Sequence, residues 1–524
     1  MRAALTDSLE FLYPDSKAGA RPCGSMAIDV ARGATAGVHV LLNDLKKGEA
    51  VRCAVRGRGG LERSARWFRL IDVPVEVNTG LHGFTEKTHK RNRFVIRRAP
   101  FRVYDAMEPV RSRVEAPGAT MALRLHLPIR PDERPGRRTY AIEIRSGREE
   151  CTLSLAVRVH SPVIPPVGRE SWPYTNWFSY DHVAARHGLK LWGEAYWRML
   201  RRYAELMVRT RQNTFWIPLG LIFRTMRGRQ VLDRGRLRRI VKTCTDAGMH
   251  FIEGGHFARL AGPVLQAKTL CVGEEPVTSC EGHAALAAMA RQLADEIDRN
   301  DWRDRWIQHA ADEPGGPNAP DYRILVGMIH KYMPGIPVVD AVLDTALTGS
   351  VDVWCPTNYN YQKDREFFES QRVFGDRIWS YTCCTPGGPW LNRLLDMELL
   401  RPALLGWAAA LYGLDGFLHW GLNHYRADQD PFRCSGVDGR ADRSLPAGDT
   451  HVVYPGPAGP WSSLRFEAQR EGFEDYELLR QLKARRPRAA ARIIAKVIRS
   501  FDDYTKDVTV FRAARKALLE AIDR

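Results

Sequence analysis

Asp312-Glu313, followed at once by Pro314, is the most chemically suggestive stretch of the chain. Two adjacent acids suit a division of labour. Like charges at close range push their pKa values apart, so one carboxyl stays protonated as a general acid while its neighbour stays ionised. Strand neighbours point to opposite faces. Both acids can therefore serve one site only if the chain leaves strand geometry there. Pro314 favours such a break by restricting its predecessor and removing a donor. The bland alternative is a surface or helix-start acid pair.

Aromatic and amide residues recur at the ends of other apolar runs. They include Asn176 and Trp177, Trp216, Trp354, Asn358 and Tyr359, Trp379 and Tyr381, and Trp420 and Asn423. Aromatic faces with a few amides suit a sugar, whose C–H faces stack on rings and whose hydroxyls need paired donors and acceptors. Each Trp alone serves equally well as core packing. A double-displacement glycosidase also needs a second carboxylate about 5–5.5 Å from its acid. Glu253 and Asp340 stand at suitable strand ends, as structural groups, hydroxyl ligands or that nucleophile. His250, Glu253 and His256 have suggestive spacing but no shared helix, so no metal is expected and no cofactor is implied. There is no GxSxG, no GxGxxG and no P-loop. Cys383-Cys384 reads as packing or pocket lining.

Eight strand-like runs must position these residues: 172–180, 213–220, 249–255, 305–314, 336–343, 351–358, 377–384 and 416–423. Helical patterns fall between them, at 193–211, 234–248, 281–299 and 396–413, whereas the fifth and sixth runs are too close for a full helix. Such alternation predicts an α/β fold with a (β/α)8 TIM barrel over 167–486, whose working residues sit at the C-terminal strand ends. An amphipathic helix over 464–486 would be the eighth. Upstream, short runs at 37–45, 75–80, 93–105, 120–129, 138–147 and 151–160, some alternating with period 2, predict a β-sandwich over 1–166, ending in a Pro-rich connector. Residues 487–524 read as C-terminal helices packed on the barrel.

Composition sets the outer limits. The chain has 524 residues, 44% hydrophobic and 27% charged, which is ordinary globular composition. No apolar run reaches 18 residues, so no membrane span is expected. The ten cysteines are too few for a disulfide scaffold. The N-terminus has no apolar signal segment, which makes a cytoplasmic location the default and export the alternative if a leader has been removed. Net charge is +17, of which +11 falls in residues 1–166. That basic third is an Arg-rich surface or a site for an anionic polymer. Nucleic acid is disfavoured, because no recognised module is visible.

Four stretches resemble glycoside hydrolase family 123 and a related family of uncharacterised domains: ADEP (311–314), WSYTCCTPGGPWLNRLLD (379–396), HWGLNHY (419–425) and YPGPAGPWSSLRFEAQREGFEDYELL (454–479). The last is the most specific. The resemblance covers about residues 165–485 and implies a β-sandwich before the barrel. It also implies an exo-acting, retaining β-N-acetylgalactosaminidase in which the sugar's own 2-acetamido oxygen attacks C1. Asp312 would then hold the acetamido N–H, and Glu313 would protonate the leaving oxygen. The implied partner is a carbohydrate with a terminal β-linked N-acetylhexosamine, possibly on an acidic glycan. Two alternatives remain open: a glycosidase for a sugar without the acetamide, and a non-catalytic glycan- or polyanion-binding protein.

Overall fold

The computed structural model describes residues 1–19, 24–87, 89–264, 266–436 and 444–523. Its first part holds two five-stranded sheets. One runs in the order Arg2–Asp7, Thr35–Asn43, Thr120–Pro128, Arg66–Val75, Phe101–Val110. The other runs Ser25–Arg32, Glu149–Val163, Gly136–Ser146, Ala50–Arg56, Arg113–Glu115. All neighbours are antiparallel except Ser25–Arg32, which runs parallel to Glu149–Val163. Inward residues of both sheets, such as Val40 and Leu125 of the first and Ile142 and Val157 of the second, join one apolar core.

Two expected strands are displaced. Residues 76–80, and 93–100 of the run 93–105, belong to an excursion between Arg66–Val75 and Phe101–Val110, and only the end of the second run is strand. Asn78 and Thr79 donate side-chain hydrogen bonds to Asp396, at 3.1 and 2.7 Å, and this draws the chain off the sheet. The alternation at 123–127 is also deceptive, because Arg124 and His126 are as buried as their leucine neighbours. The polar face of that sheet is covered by the helix Leu464–Arg485, whose Glu467 lies 4.0 Å from His126.

The second part is organised by eight short parallel strands, each inside one of the eight expected runs: β1 (Tyr174–Asn176), β2 (Thr214–Ile217), β3 (Phe251–Gly254), β4 (Trp306–Gln308), β5 (Val339–Val342), β6 (Val353–Pro356), β7 (Arg377–Thr382) and β8 (Gly416–His419). Neighbours in sequence are neighbours in space. Ladders join β2–β3–β4 and β5–β6–β7–β8, and β8 pairs back onto β1. A single bridge between Gln308 and Val338 links β4 to the start of β5, and Asn213 N–H reaches Tyr174 O at 3.3 Å between β1 and β2. Helices Glu194–Arg209, Arg234–Ala247, Cys280–Arg299, Ala319–Tyr332 and Leu400–Tyr412 alternate with the strands.

Helix Leu464–Arg485 departs from the expected amphipathic pattern. It is buried nearly all round, including Arg465, Glu467, Arg470, Glu471, Glu474, Asp475 and Glu477. Neighbours enclose it on several sides. Against Leu400–Tyr412 the backbones touch, since a Cβ on Gly472 would lie 2.0 Å from Ala403 O and one on Gly406 would lie 2.0 Å from Gly472 O. Only glycines permit that approach. The C-terminal helix Val508–Asp523 covers another side through Arg515 and Asp475 at 2.8 Å. It also reaches the first part, where Asp523 meets His160 at 2.8 Å. The tail therefore packs on both parts of the molecule rather than on the parallel-strand part alone.

Candidate active site

The chain leaves β4 at Gln308, and five residues later Glu313 adopts φ +46°. A non-glycine residue rarely sits in this left-handed region, and such strain clusters at functional sites. The break lets two consecutive carboxylates face one space. Asp312 and Glu313 both line a cavity of about 200 Å³ with Trp177, Trp420 and Leu445, and Glu313 also lines an adjoining cavity of about 440 Å³. A larger cavity, about 750 Å³ near Trp67 and Trp461, holds neither acid, so size alone does not locate the site.

The two acids are electrostatically distinct from ordinary carboxylates. Burial and the neighbouring Asp312 charge push Glu313 up to about 7, against a hydrogen bond from Tyr381 Oη to Glu313 Oε1 at 2.8 Å. The Asp312 side chain is 59% exposed, but into a concave cavity, and desolvation there still raises its pKa against the charge of His309. A group poised near 7 is what a general acid that later acts as a base requires.

Beneath the pair lies a charge-matched cluster. His309, fully buried, meets Asp340 Oδ1 at 2.8 Å through Nδ1 and Glu253 Oε1 at 2.7 Å through Nε2. Bonds from both ring nitrogens to carboxylates require an imidazolium. Burial alone would discharge it, but the bonds and charges of Asp340 and Glu253 outweigh that and hold its pKa at about 9. Glu253 also accepts from Thr175 Oγ1 at 2.6 Å and Trp177 Nε1 at 2.7 Å, and Asp340 from Tyr322 Oη at 2.6 Å. The two acids considered as nucleophiles are thus fully engaged below the cavities and line neither of them.

His256, His309 and Asp340 bring one potential ligand atom each within 4.8 Å of one another. Both nitrogens of His309 are already committed, however. His256 is held neutral, with a pKa lowered to about 3 by burial and by the His309 charge. His309 and Asp340 share a proton, with no ring nitrogen of His309 left over for a cation, while His256 Nε2 stands 4.0 Å from Asp340 without a hydrogen bond to it.

The remaining expected sugar contacts separate sharply. Tyr381, Trp420 and Tyr359 line the cavities, with Trp390 edge-on to Tyr359 at 5.0 Å. Trp216 lies one layer back, stacked at 4.4 Å behind Trp177. Five others are corrected by their surroundings. Trp354 packs on Phe367 and Phe368 and donates its indole N–H to Asp376 at 2.8 Å, because its position in β6 faces the helices. Trp379 is buried beside Gly416, in the packed layer under Tyr381. Asn176 is spent on Tyr174, Gln212 and Arg393. Asn358 ties down Leu391 O at 2.7 Å. Asn423 holds the backbone of Ser179 through both N–H and O and lines neither cavity.

Sequence reasoning missed His309, because a buried His among apolar residues resembles core. Its place three residues before Asp312, in the apolar run leading to the acids, was the available signal. It also missed Asp449, fully buried beside Trp420 Nε1 at 3.3 Å and pushed up to about 7 by burial. Leu81 and Phe84 arrive from the other part of the chain, and nothing local announces them.

Comparison with known proteins bears on the fold that carries this site. Residues 267–482 match the family model "Glycoside hydrolase 123, catalytic domain". The four stretches that carry the resemblance lie inside that span. No curated protein matches by sequence. Among solved structures, a family 123 glycoside hydrolase from Clostridium perfringens, studied for glycolipid glycan hydrolysis, superposes with a TM-score of 0.75 at 13% identity, covering 100% of this chain and 97% of its own. An Ig-like-domain GH10 xylanase from termite gut reaches only 0.34 at 10% identity, over 70% of this chain and 91% of its own. The endo-β-1,4-mannanase of Thermotoga petrophila reaches 0.37 at 11%, over 60% and 77%. Residues 267–482 thus resemble a glycoside hydrolase family 123 catalytic domain, and the chain is an enzyme that hydrolyses glycosides.

Proposed function

We propose that this glycoside hydrolase is an exo-acting, retaining β-N-acetylgalactosaminidase that uses the substrate's 2-acetamido group as its nucleophile. The observation that carries the reading is the sequestration of Glu253 and Asp340 around His309. With both locked below the cavities, Asp312 and Glu313 are the only carboxylates among the described residues that line them. An internal nucleophile removes the need for a further one.

The chemistry follows from the placement. The acetamido carbonyl oxygen attacks C1 as the glycosidic C1–O bond breaks. Glu313 delivers its proton to the departing oxygen. Tyr381 occupies Oε1, which leaves Oε2 as the proton-bearing atom. Asp312 accepts the acetamido N–H and stabilises the positive charge of the cyclic oxazolinium. Glu313, now a carboxylate, takes a proton from water as the water oxygen adds to C1 and the ring's C1–O bond to the acetamido oxygen breaks, restoring the acetamide with the configuration retained. Trp177 and Trp420 offer the ring faces for a single sugar in the 200 Å³ cavity, which suits an exo mode of action.

The architecture belongs to the same reading. β1–β8 close as a (β/α)8 barrel over residues 167–486, preceded by a β-sandwich over 1–166 and followed by helices over 487–524. The circular neighbour order of the strands supports closure. A panel of aryl β-glycosides of GalNAc, GlcNAc, galactose and glucose tests the function, together with a thiazoline mimic of the cyclised intermediate. Preferred turnover of the GalNAc substrate and potent thiazoline inhibition are expected. Turnover of galactose or glucose substrates with indifference to the thiazoline would overturn the reading.

A further inference from the structure

Two cavities meet at the general acid, and they differ in what lines them. Asp312 belongs only to the 200 Å³ cavity, whereas Glu313, Tyr381, Cys383 and Cys384 form the wall common to both. If Asp312 addresses the acetamide, that cavity receives the cleaved sugar. The 440 Å³ cavity on the other side of Glu313 then receives the leaving group. This assignment rests on the function proposed above.

Much of the larger cavity is built by the first part of the chain. Leu81 and Phe84, from the excursion between two sheet strands, face Val264, Leu343, Tyr359 and Trp390. The excursion is fixed in place. Phe84 N–H donates to Cys384 O at 2.9 Å, and Gly80 N–H to Phe84 O at 2.8 Å. Gly80 and Gly387 meet so closely that a Cβ on Gly387 would lie 2.0 Å from Gly80 O. Phe84 itself sits at φ +56°. A wall held this way is preorganised, so its shape is a property of the free enzyme.

The charge pattern is the second observation. The chain carries a net +17, yet among the described residues no Lys or Arg lines this cavity, and exposed His82 is the one group there able to become a cation. An anionic leaving group would lose hydration without gaining a partner, beside a Glu313 that itself turns anionic as it delivers its proton. We propose that the Leu81–Phe84 segment forms the leaving-group subsite and selects a neutral leaving group that presents an apolar face.

The test compares β-N-acetylgalactosaminides carrying methoxycarbonylphenyl, carboxyphenyl and octyl aglycones, and a neutral disaccharide with galactose as leaving group. The neutral aryl substrate should exceed the carboxylate in kcat/KM by roughly tenfold or more, the scale of a good pocket contact. Leu81→Arg should shrink or invert that ratio. Phe84→Gly, which relieves the positive φ, should raise KM for the neutral substrates roughly tenfold. Melting curves of both variants check folding, and either variant alone decides the matter. A wild-type preference for the carboxylate, or a ratio that neither variant moves, would overturn the proposal. Preference for the disaccharide over the octyl glycoside would place a second sugar in the cavity, and the reverse would place a hydrocarbon there. If wild type cleaves only glycosides without the acetamide, the proposed function fails, while the same ratio measured on the accepted sugar still decides the subsite.

Discussion

Helix Leu464–Arg485 and the Asp312-Glu313 mouth both take carboxylates out of bulk water, and their charges settle in opposite directions. Glu467 is ringed by Arg209 at 2.6 Å and Arg470 at 3.0 Å, and these cations hold its pKa well below the usual carboxylate range despite complete burial. Glu471, beside Arg512 and Arg515, is lowered to about 2 in the same way. Glu313 has no cation among its described partners and rises to about 7. Burial alone pushes a carboxyl up; the surrounding arginines reverse the sign at Glu467 and Glu471, whereas at Glu474 and Asp475 burial outweighs theirs. The helix invests its acids in cohesion, whereas the mouth leaves one able to exchange a proton.

Exchanging acid for amide in each region sharpens the contrast. Glu313→Gln should lower turnover of a substrate with a poor leaving group by roughly 10²–10⁴-fold, with the melting temperature unchanged or raised. Glu467→Gln should do the reverse. Removing one of the two carboxylates that hold buried Arg470, Glu474 being the other, should cost up to about 3–5 kcal/mol in denaturant unfolding, while the surviving folded molecules keep their kcat.

The pH response separates the regions again. Glu467 has a depressed folded pKa, so its contribution is present above the unfolded value near 4.5 and is lost as pH falls through the lower folded value. Glu313 has a raised one, so its contribution is complete below 4.5 and is lost as pH rises through about 7. His309 follows the second pattern over a higher window, with its contribution intact below 6.5 and lost as pH rises through about 9. Urea midpoints between pH 6.5 and 9 should therefore decline, and the decline should be smaller in His309→Asn. For catalysis, kcat/KM should fall as pH climbs past about 7, where Glu313 loses the proton it must give. The smallest expected effect is that of Tyr381→Phe. Removing the hydroxyl that favours the Glu313 carboxylate should move the alkaline limb upward by a fraction of a pH unit, measurable in a kcat/KM profile.

The backbone plan was legible because strand and helix periodicities are local. All eight parallel strands lie within the runs read from sequence, and Asp312-Glu313 stood out by type and by Pro314. The sugar-facing set was less legible. Trp354 and Tyr381 both look like pocket aromatics, but one faces helices and the other faces Glu313, a difference set by short strands whose register no local pattern reveals. The helix at 464–485 misled for a related reason. Charged residues ordinarily mark a solvent face, yet here a sheet and two helices enclose them and supply counter-charges from distant positions such as Asp105 and Arg515. Contributions from far along the chain, Leu81 and Phe84 above all, had no sequence signal because their role exists only once the excursion docks.

Arg465 gives the architecture a consequence for how the enzyme comes apart. Its guanidinium grips Asp105 of the first part at 2.9 Å, and also takes Arg393 O at 3.0 Å, Gly448 O at 2.6 Å and His451 O at 2.9 Å. One side chain thus pins the seam and the loops that approach Trp420 and Asp449. Separation of the seam and collapse of the pocket become a single event. Loss of activity and loss of tryptophan burial should trace one coincident transition in denaturant, as a two-state unit requires. Arg465→Met should split them, with activity failing first.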